Sequence, residues 1–203
     1  PQDVLRSLSE VHPTTMCVVP RFWEKVYAGV MERMHKSSPV QRRMLEEALR
    51  VGHTYNVEYK MRGLVPPLSL KLQYAFYEKT VIALLLKTLG LERHNFFPTA
   101  GAAISPQVEE FMRSVGLLLV IGYGMTETTA TVTLDRWDKP ITIGSVGRLL
   151  NGVQLKFGDN NEVLLKGDTI TKGYYRKAEV TALAIDEEGW FHTGDAGYMK
   201  NGE

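Results

Sequence analysis

Residues 117–121 (LLLVI) are five consecutive large apolar residues that stop on Gly122-Tyr123-Gly124. A run without polar alternation, closed by glycine, predicts a strand buried on both faces, and such strands belong to sheets covered by helices. The residues before it read the same way. Segment 14–19 (TTMCVV) is a β-branched, apolar strand pattern that ends at Pro20, and 22–34 follows with apolar residues at helical spacing. Segments 39–51 and 68–89 are longer amphipathic patterns divided by Gly63 and the Pro66-Pro67 pair, which predicts two helices with a loop between them. Phe96-Phe97 leads as a strand into a loop at 99–105, and 106–115 returns to helical spacing with Pro106 in its first turn.

The pattern changes after Trp137. Short alternating segments at 141–146, 153–157, 162–166 and 191–198 are divided by glycines, with one helical stretch at 178–185. Gly158-Asp159-Asn160-Asn161 supplies residues that tolerate left-handed angles and predicts a hairpin. The fold class is therefore α/β, with an α/β subdomain over residues 1–136 followed by a small β-rich subdomain over 137–203.

Composition narrows the partners. Lys and Arg total 24 against 23 Asp and Glu, so the net charge is +1 and nucleic acid is not expected as a partner. The single Cys17 leaves no internal disulfide, the five histidines show no zinc spacing, and the reducing cytoplasm is the expected location. The most apolar stretch, 81–91, carries Lys87 and is far shorter than the roughly 20 residues a spanning helix needs. Residues 61–91 mix apolar side chains with Arg62, Lys71, Lys79 and Lys87, a pattern that suits a peripheral membrane contact or a helix packed on its own core.

Three motifs carry candidate chemistry. Gly122-Tyr123-Gly124-Met125-Thr126-Glu127 follows the buried strand: bare glycines let main chain approach a flat ligand, the tyrosine ring can stack on it, and Thr126 and Glu127 add a hydroxyl and a carboxylate. That set suits a nucleotide with Mg²⁺, a hard cation that takes one or two protein oxygens; a tight turn with a core tyrosine accounts for the same residues. Thr99-Ala100-Gly101-Ala102-Ala103-Ile104-Ser105 is a loop of small residues after a strand, where main chain could approach a flat ligand, although a structural turn explains such a loop more often. In Phe191-His192-Thr193-Gly194-Asp195-Ala196-Gly197-Tyr198, Asp195 can accept two hydrogen bonds from a vicinal diol such as ribose, or satisfy its own turn. His192 reads as a packing or surface histidine rather than a general base.

In this order and spacing the three motifs resemble the adenylate-forming superfamily of acyl-CoA synthetases, luciferases and peptide-synthetase adenylation domains. Tyr123 to Glu127 match its Y-G-x-T-E element, Ala100 to Ser105 are similar to G-G-A-P-L-S, and residues 162–198 resemble the block that runs from E-h-x-x-x-G to W-h-x-T-G-D, h being apolar. Val19-Pro20-Arg21-Phe22-Trp23-Glu24-Lys25-Val26-Tyr27 resembles the V-P-R-x-x-E-K-h-Y run of the long-chain fatty-acid branch, and 39–91 its insert.

The resemblance implies part of an adenylate-forming N-terminal domain whose β-rich portion is barrel-like. It implies an acid-thiol ligase that joins a long-chain fatty acid to coenzyme A through an acyl-adenylate, consuming ATP with Mg²⁺ and releasing AMP and pyrophosphate. Carried over residue by residue, it assigns nucleotide contacts to Gly101, Ala102, Ala103, Gly122, Tyr123, Gly124, Met125, Thr126 and Asp195. Tyr123 would stack on adenine and Asp195 would take the ribose hydroxyls. Thr126 and Glu127 would be catalytic, with Glu127 the Mg²⁺ ligand. Ala100 and Ala103 depart from the family's glycine and proline. The phosphate-gripping loop and the C-terminal lid with its adenylating lysine have no counterpart between Pro1 and Glu203, so an internal piece, inactive by itself, is expected. An adenylation domain for another carboxylic or amino acid, or a non-catalytic nucleotide-binding module, are the alternatives.

Overall fold

The computed structural model describes residues 3–203, with side chains from Arg6 onward; Pro1 and Gln2, where the sequence reading begins, lie outside the described residues. Contacts gather into two units, Pro1–Val120 with Arg136–Gly144 and Ile121–Asp135 with Ser145–Glu203. The chain passes between them at 120/121, 135/136 and 144/145, where the sequence reading draws one boundary at 136/137.

The first unit is mainly helical. Helix α1 spans Asp3–Val11. In α2, Pro20–Lys36, the proline occupies the first turn, where its missing N–H costs nothing, and Trp23, Val26 and Val30 are buried. Helix α3, Pro39–Gly52, starts on a capping box in which Ser38 and Gln41 satisfy each other's backbone N–H groups. The helix then continues through a π-helical stretch, His53–Tyr59, and a 3-10 turn, Lys60–Arg62, before Gly63 stops it in the left-handed region. Gly52 admits a close neighbour, since a Cβ there would lie 2.1 Å from the Ser114 carbonyl oxygen. After the prolines, α4 (Leu68–Tyr77), a π-helical stretch (Glu78–Ile82) and α5 (Ala83–Thr88) form the second long helix; Tyr74 stacks on Tyr55 at 4.1 Å.

Strand β1, Phe97–Thr99, lies against the chain at Leu118, and the Trp23 indole N–H donates to Thr99 Oγ1 at 3.0 Å, fastening α2 to it. Segment 14–19, expected as a strand, makes only isolated parallel bridges, Thr15 to Phe96 and Val18 to Thr99. Val18 N–H donates to Pro98 and Ala100 N–H to Val18, but the next rung needs the amide hydrogen of residue 98, and proline has none. Helix α6, Pro106–Ser114, carries a buried ion pair: Arg113 Nε donates to Glu109 Oε1 at 2.8 Å, with side-chain exposures of 3% and 0%. Glu109 Oε2 accepts from Gly144 N–H at 2.9 Å, and Arg113 Nη1 donates to Leu119 O at 3.1 Å. Segment 141–146, also expected as a strand, spends its donors elsewhere: Ile141 N–H goes to Met61 and Gly144 N–H to Glu109, so no ladder forms.

Strand β2, Leu119–Tyr123, carries the chain into the second unit, where its end pairs antiparallel with β3 (Thr133–Leu134), and β3 with β4 (Arg148–Leu149). A three-stranded antiparallel sheet follows: β5 (Val153–Phe157), β6 (Glu162–Gly167) and β7 (Phe191–Ala196), with helix α7 (Ala178–Ala184) between the last two strands. The β5–β6 turn places Asn160 and Asn161 at φ 57° and 59°, angles asparagine tolerates. Val132, Val153, Val163 and Leu165 form the core of this unit. Among the described residues no helix is long and apolar enough to cross a membrane.

Arg113→Ala removes a buried charge partner of Glu109 and the donor to the Leu119 carbonyl, and is expected to cost about 3–5 kcal/mol. Arg42→Ala, at a half-exposed pair with Glu46, should cost under about 1 kcal/mol. Urea denaturation compares the two, and equal losses would contradict the structural role given to the buried pair.

Candidate functional site

Beyond β2 the chain runs through an extended Met125 into a 3-10 turn, Thr126–Thr128. Buried Thr128 ties this turn: its hydroxyl accepts from Met125 N–H and donates to Met125 O, each at 3.0 Å. Thr129 and Ala130 follow at φ 53° and 75°, reversing the chain so that Val132 N–H donates to Tyr123 O at 2.8 Å. The returning chain lies against the bare faces of both motif glycines. A Cβ on Gly124 would lie 1.7 Å from Ala130 O, and one on Gly122 2.7 Å from Thr133 O. Thr133 also accepts from Tyr123 N–H through its hydroxyl at 3.2 Å.

Asp195 is set by an irregularity. Strand β7 advances from His192 to Ala196 while its partner β6 advances only from Leu164 to Glu162, and the surplus forms a bulge at Thr193, Gly194 and Asp195. Gly194 sits at φ 73°, where glycine is unstrained. Glu162 braces the bulge: Oε1 accepts from Gly194 N–H at 2.9 Å and Oε2 faces His192 Nδ1 at 3.1 Å. The Gly194 amide, and after it the His192 ring, hold the Glu162 carboxyl below the usual carboxylate range. Thr193 Oγ1 donates to Val163 O at 2.7 Å. His192 Nε2 lies 3.7 Å from Asp186, so carboxylates stand at both ring nitrogens.

The two motifs meet through one short bond. Tyr123 Oη donates to Asp195 Oδ2 at 2.6 Å, and burial first, then this bond, pushes the phenol from 10.0 up to about 12. Both residues line a cavity of about 170 Å³ whose other walls include Leu149, Leu155, Phe157 and Tyr198. Glu127 is held elsewhere: its carbonyl accepts from Thr171 N–H at 2.7 Å, and its Oε1 accepts from Tyr174 Oη at 2.9 Å, a bond that raises the Tyr174 pKa. Thr126 is exposed, and neither it nor Glu127 lines the cavity. In the first unit Gly101 sits at φ 94° and is exposed with Ala102 and Ala103; neither Ala100 nor Ala103 requires positive φ, so alanine adds no backbone strain there.

Glu162 and Tyr174 belong to the 162–198 block that the sequence matches, but no role is assigned to them there, and Thr128 is not singled out at all. Thr128 stands three residues after Met125, a turn-tying spacing that could have been noticed. The partnership of Glu162 with Gly194 depends on a bulged register that alternation does not reveal.

The chain belongs to the AMP-binding enzyme family, whose sequence model matches residues 1–175. Among its curated relatives, the Xenopus laevis long-chain-fatty-acid–CoA ligase ACSBG2 is 33% identical over 94% of this chain and 26% of its own length. The Homo sapiens long-chain-fatty-acid–CoA ligase ACSBG1 is 31% identical over 97% of this chain and 27% of its own. The chain thus spans 26–27% of the length of these two relatives. The unliganded Bacillus subtilis O-succinylbenzoate coenzyme A synthetase shares the fold, with a TM-score of 0.56 at 18% identity, over 98% of this chain and 32% of that one.

With its folded-state pKa raised, Tyr123 contributes stability that is complete below pH 10 and lost as pH rises through about 12. The urea midpoint of the wild-type chain should therefore fall more steeply between those values than that of Tyr123→Phe. Tyr74, also raised to about 12 by burial, is common to both chains and cancels. Parallel curves would refute the assignment.

Proposed function

We propose that the chain forms the adenylate-binding part of an ATP-dependent long-chain fatty-acid–CoA ligase. The observation that carries this reading is the Tyr123–Asp195 bond, which brings two motifs 72 residues apart to one cavity. A carboxylate has about four acceptor positions, so Asp195 can hold the Tyr123 hydroxyl and still accept from a ribose diol. Tyr123 offers a ring fixed at its hydroxyl for base stacking, and within the same unit the resemblance assigns backbone contacts to Gly122, Gly124 and Met125. The substrate class is supported by the curated relatives, both long-chain-fatty-acid–CoA ligases. A free, exposed Cys17 suits the cytoplasm.

In this reading a fatty carboxylate attacks the α-phosphorus of ATP, pyrophosphate leaves, and the thiolate of coenzyme A then displaces AMP from the acyl-adenylate. Thr126, exposed at the start of its turn, donates its hydroxyl to the phosphate that becomes AMP. Glu127 fits the Mg²⁺ role: with Tyr174 on Oε1, Oε2 is left as a hard oxygen, and Mg²⁺ takes one or two such ligands from protein and the rest from phosphate and water. When bound, the cation neutralises charge gathering on the phosphates.

In the full-length protein, Glu127→Ala should lower palmitate-dependent ATP–pyrophosphate exchange by about 100-fold while changing AMP affinity little. Asp195→Ala should instead weaken AMP binding by about tenfold or more. Exchange supported by amino acids and not by palmitate would move the assignment to another acid-activating enzyme, and an unchanged rate in Glu127→Ala would remove that residue from the metal role.

A further inference from the structure

We infer that Tyr174 is a positioning residue that fixes how Glu127 presents its carboxylate to a divalent cation, an inference that rests on the adenylate-forming reading above. Loop 169–174 holds the turn that bears Glu127 at three points. Thr129 Oγ1 donates to Thr169 O at 2.6 Å, Thr171 N–H donates to the Glu127 carbonyl at 2.7 Å, and Tyr174 Oη donates to Glu127 Oε1 at 2.9 Å. Main chain and side chain of one residue are thus gripped by the same loop.

The loop is itself fastened on its far side. Tyr174 N–H donates to Thr181 Oγ1 at 2.9 Å, that hydroxyl donates to Lys177 O at 2.9 Å, and Lys177 N–H returns to Tyr174 O at 3.1 Å. Gly173, at φ 132°, lets α7 approach so closely that a Cβ would lie 2.4 Å from Thr181 Cγ2. Tyr174 therefore has a fixed backbone and a half-buried ring, and a phenol has one proton to give. It can engage one carboxylate oxygen and leave the other, whereas an arginine would take both. Without that bond the carboxylate must be ordered when the cation arrives, and affinity falls by the ordering cost. The neighbouring Tyr175 is 84% exposed, with Arg176 over its ring at 5.2 Å, and serves as the control.

The test measures Mn²⁺ binding by electron paramagnetic resonance to full-length protein saturated with a non-hydrolysable ATP analogue. Tyr174→Phe should weaken Mn²⁺ about tenfold, with the metal-free affinity for the analogue and the urea midpoint unchanged, and Tyr175→Phe should behave as wild type. Tyr174→Phe combined with Glu127→Gln should bind Mn²⁺ no more weakly than Glu127→Gln alone. Wild-type Mn²⁺ affinity in Tyr174→Phe, beside a loss in Glu127→Gln, would overturn the inference and leave the functional reading standing. Absence of protein-enhanced Mn²⁺ binding in the wild type would overturn that reading and this inference with it.

Discussion

The Glu109–Arg113 pair is the interaction on which the first unit turns. Each partner is almost wholly removed from water, so the charge of each compensates the burial of the other, and each also holds a piece of main chain. Arg113 grips the carbonyl of Leu119 where β2 begins, and Glu109 grips the amide of Gly144 in the returning segment. One turn of α6 thereby fixes both where the central strand starts and where the chain comes back. The glutamate stands four residues ahead of the arginine, the helical spacing and order that bring opposite charges together with least strain.

Much of the architecture could be read from pattern because hydrophobic periodicity and local punctuation agreed. Pro20, Pro39 and Pro106 open helices, Gly63 closes one, and the paired asparagines of the 158–161 turn adopt the left-handed angles their chemistry allows. Where the reading failed, hydrogen-bond supply decided against apolar pattern. Segment 14–19 has the composition of a strand, but its partner presents Pro98 at the rung where a donor is needed. Segment 141–146 alternates suitably, yet its amides are claimed by Met61 and Glu109, far away in sequence. The π-helical stretches inside both long helices left no mark on the spacing of apolar residues.

The candidate site was legible as residues and less so as geometry. Tyr123 and Asp195 were each plausible ligands from type alone, and the structure joins them by a hydrogen bond no local rule could supply. The glycines around Tyr123 read as room for a ligand, but the tightest approach to each comes from the protein's own returning chain, at Ala130 and Thr133. Those glycines thus answer to a folding constraint before any binding one. The roles of Tyr174 and Glu162, both within a matched motif, are not legible because each depends on a partner 47 or 32 residues distant, Glu127 and Gly194.

The bulge in β7 ties the reach of Asp195 to a count of residues rather than to their chemistry. Adjacent positions on a strand face opposite sides, so adding or removing one residue between His192 and Ala196 would swing the carboxylate through the sheet while leaving the composition of the segment nearly intact. Among descendants of this sequence, length over that short interval should drift less freely than the side chains that fill it.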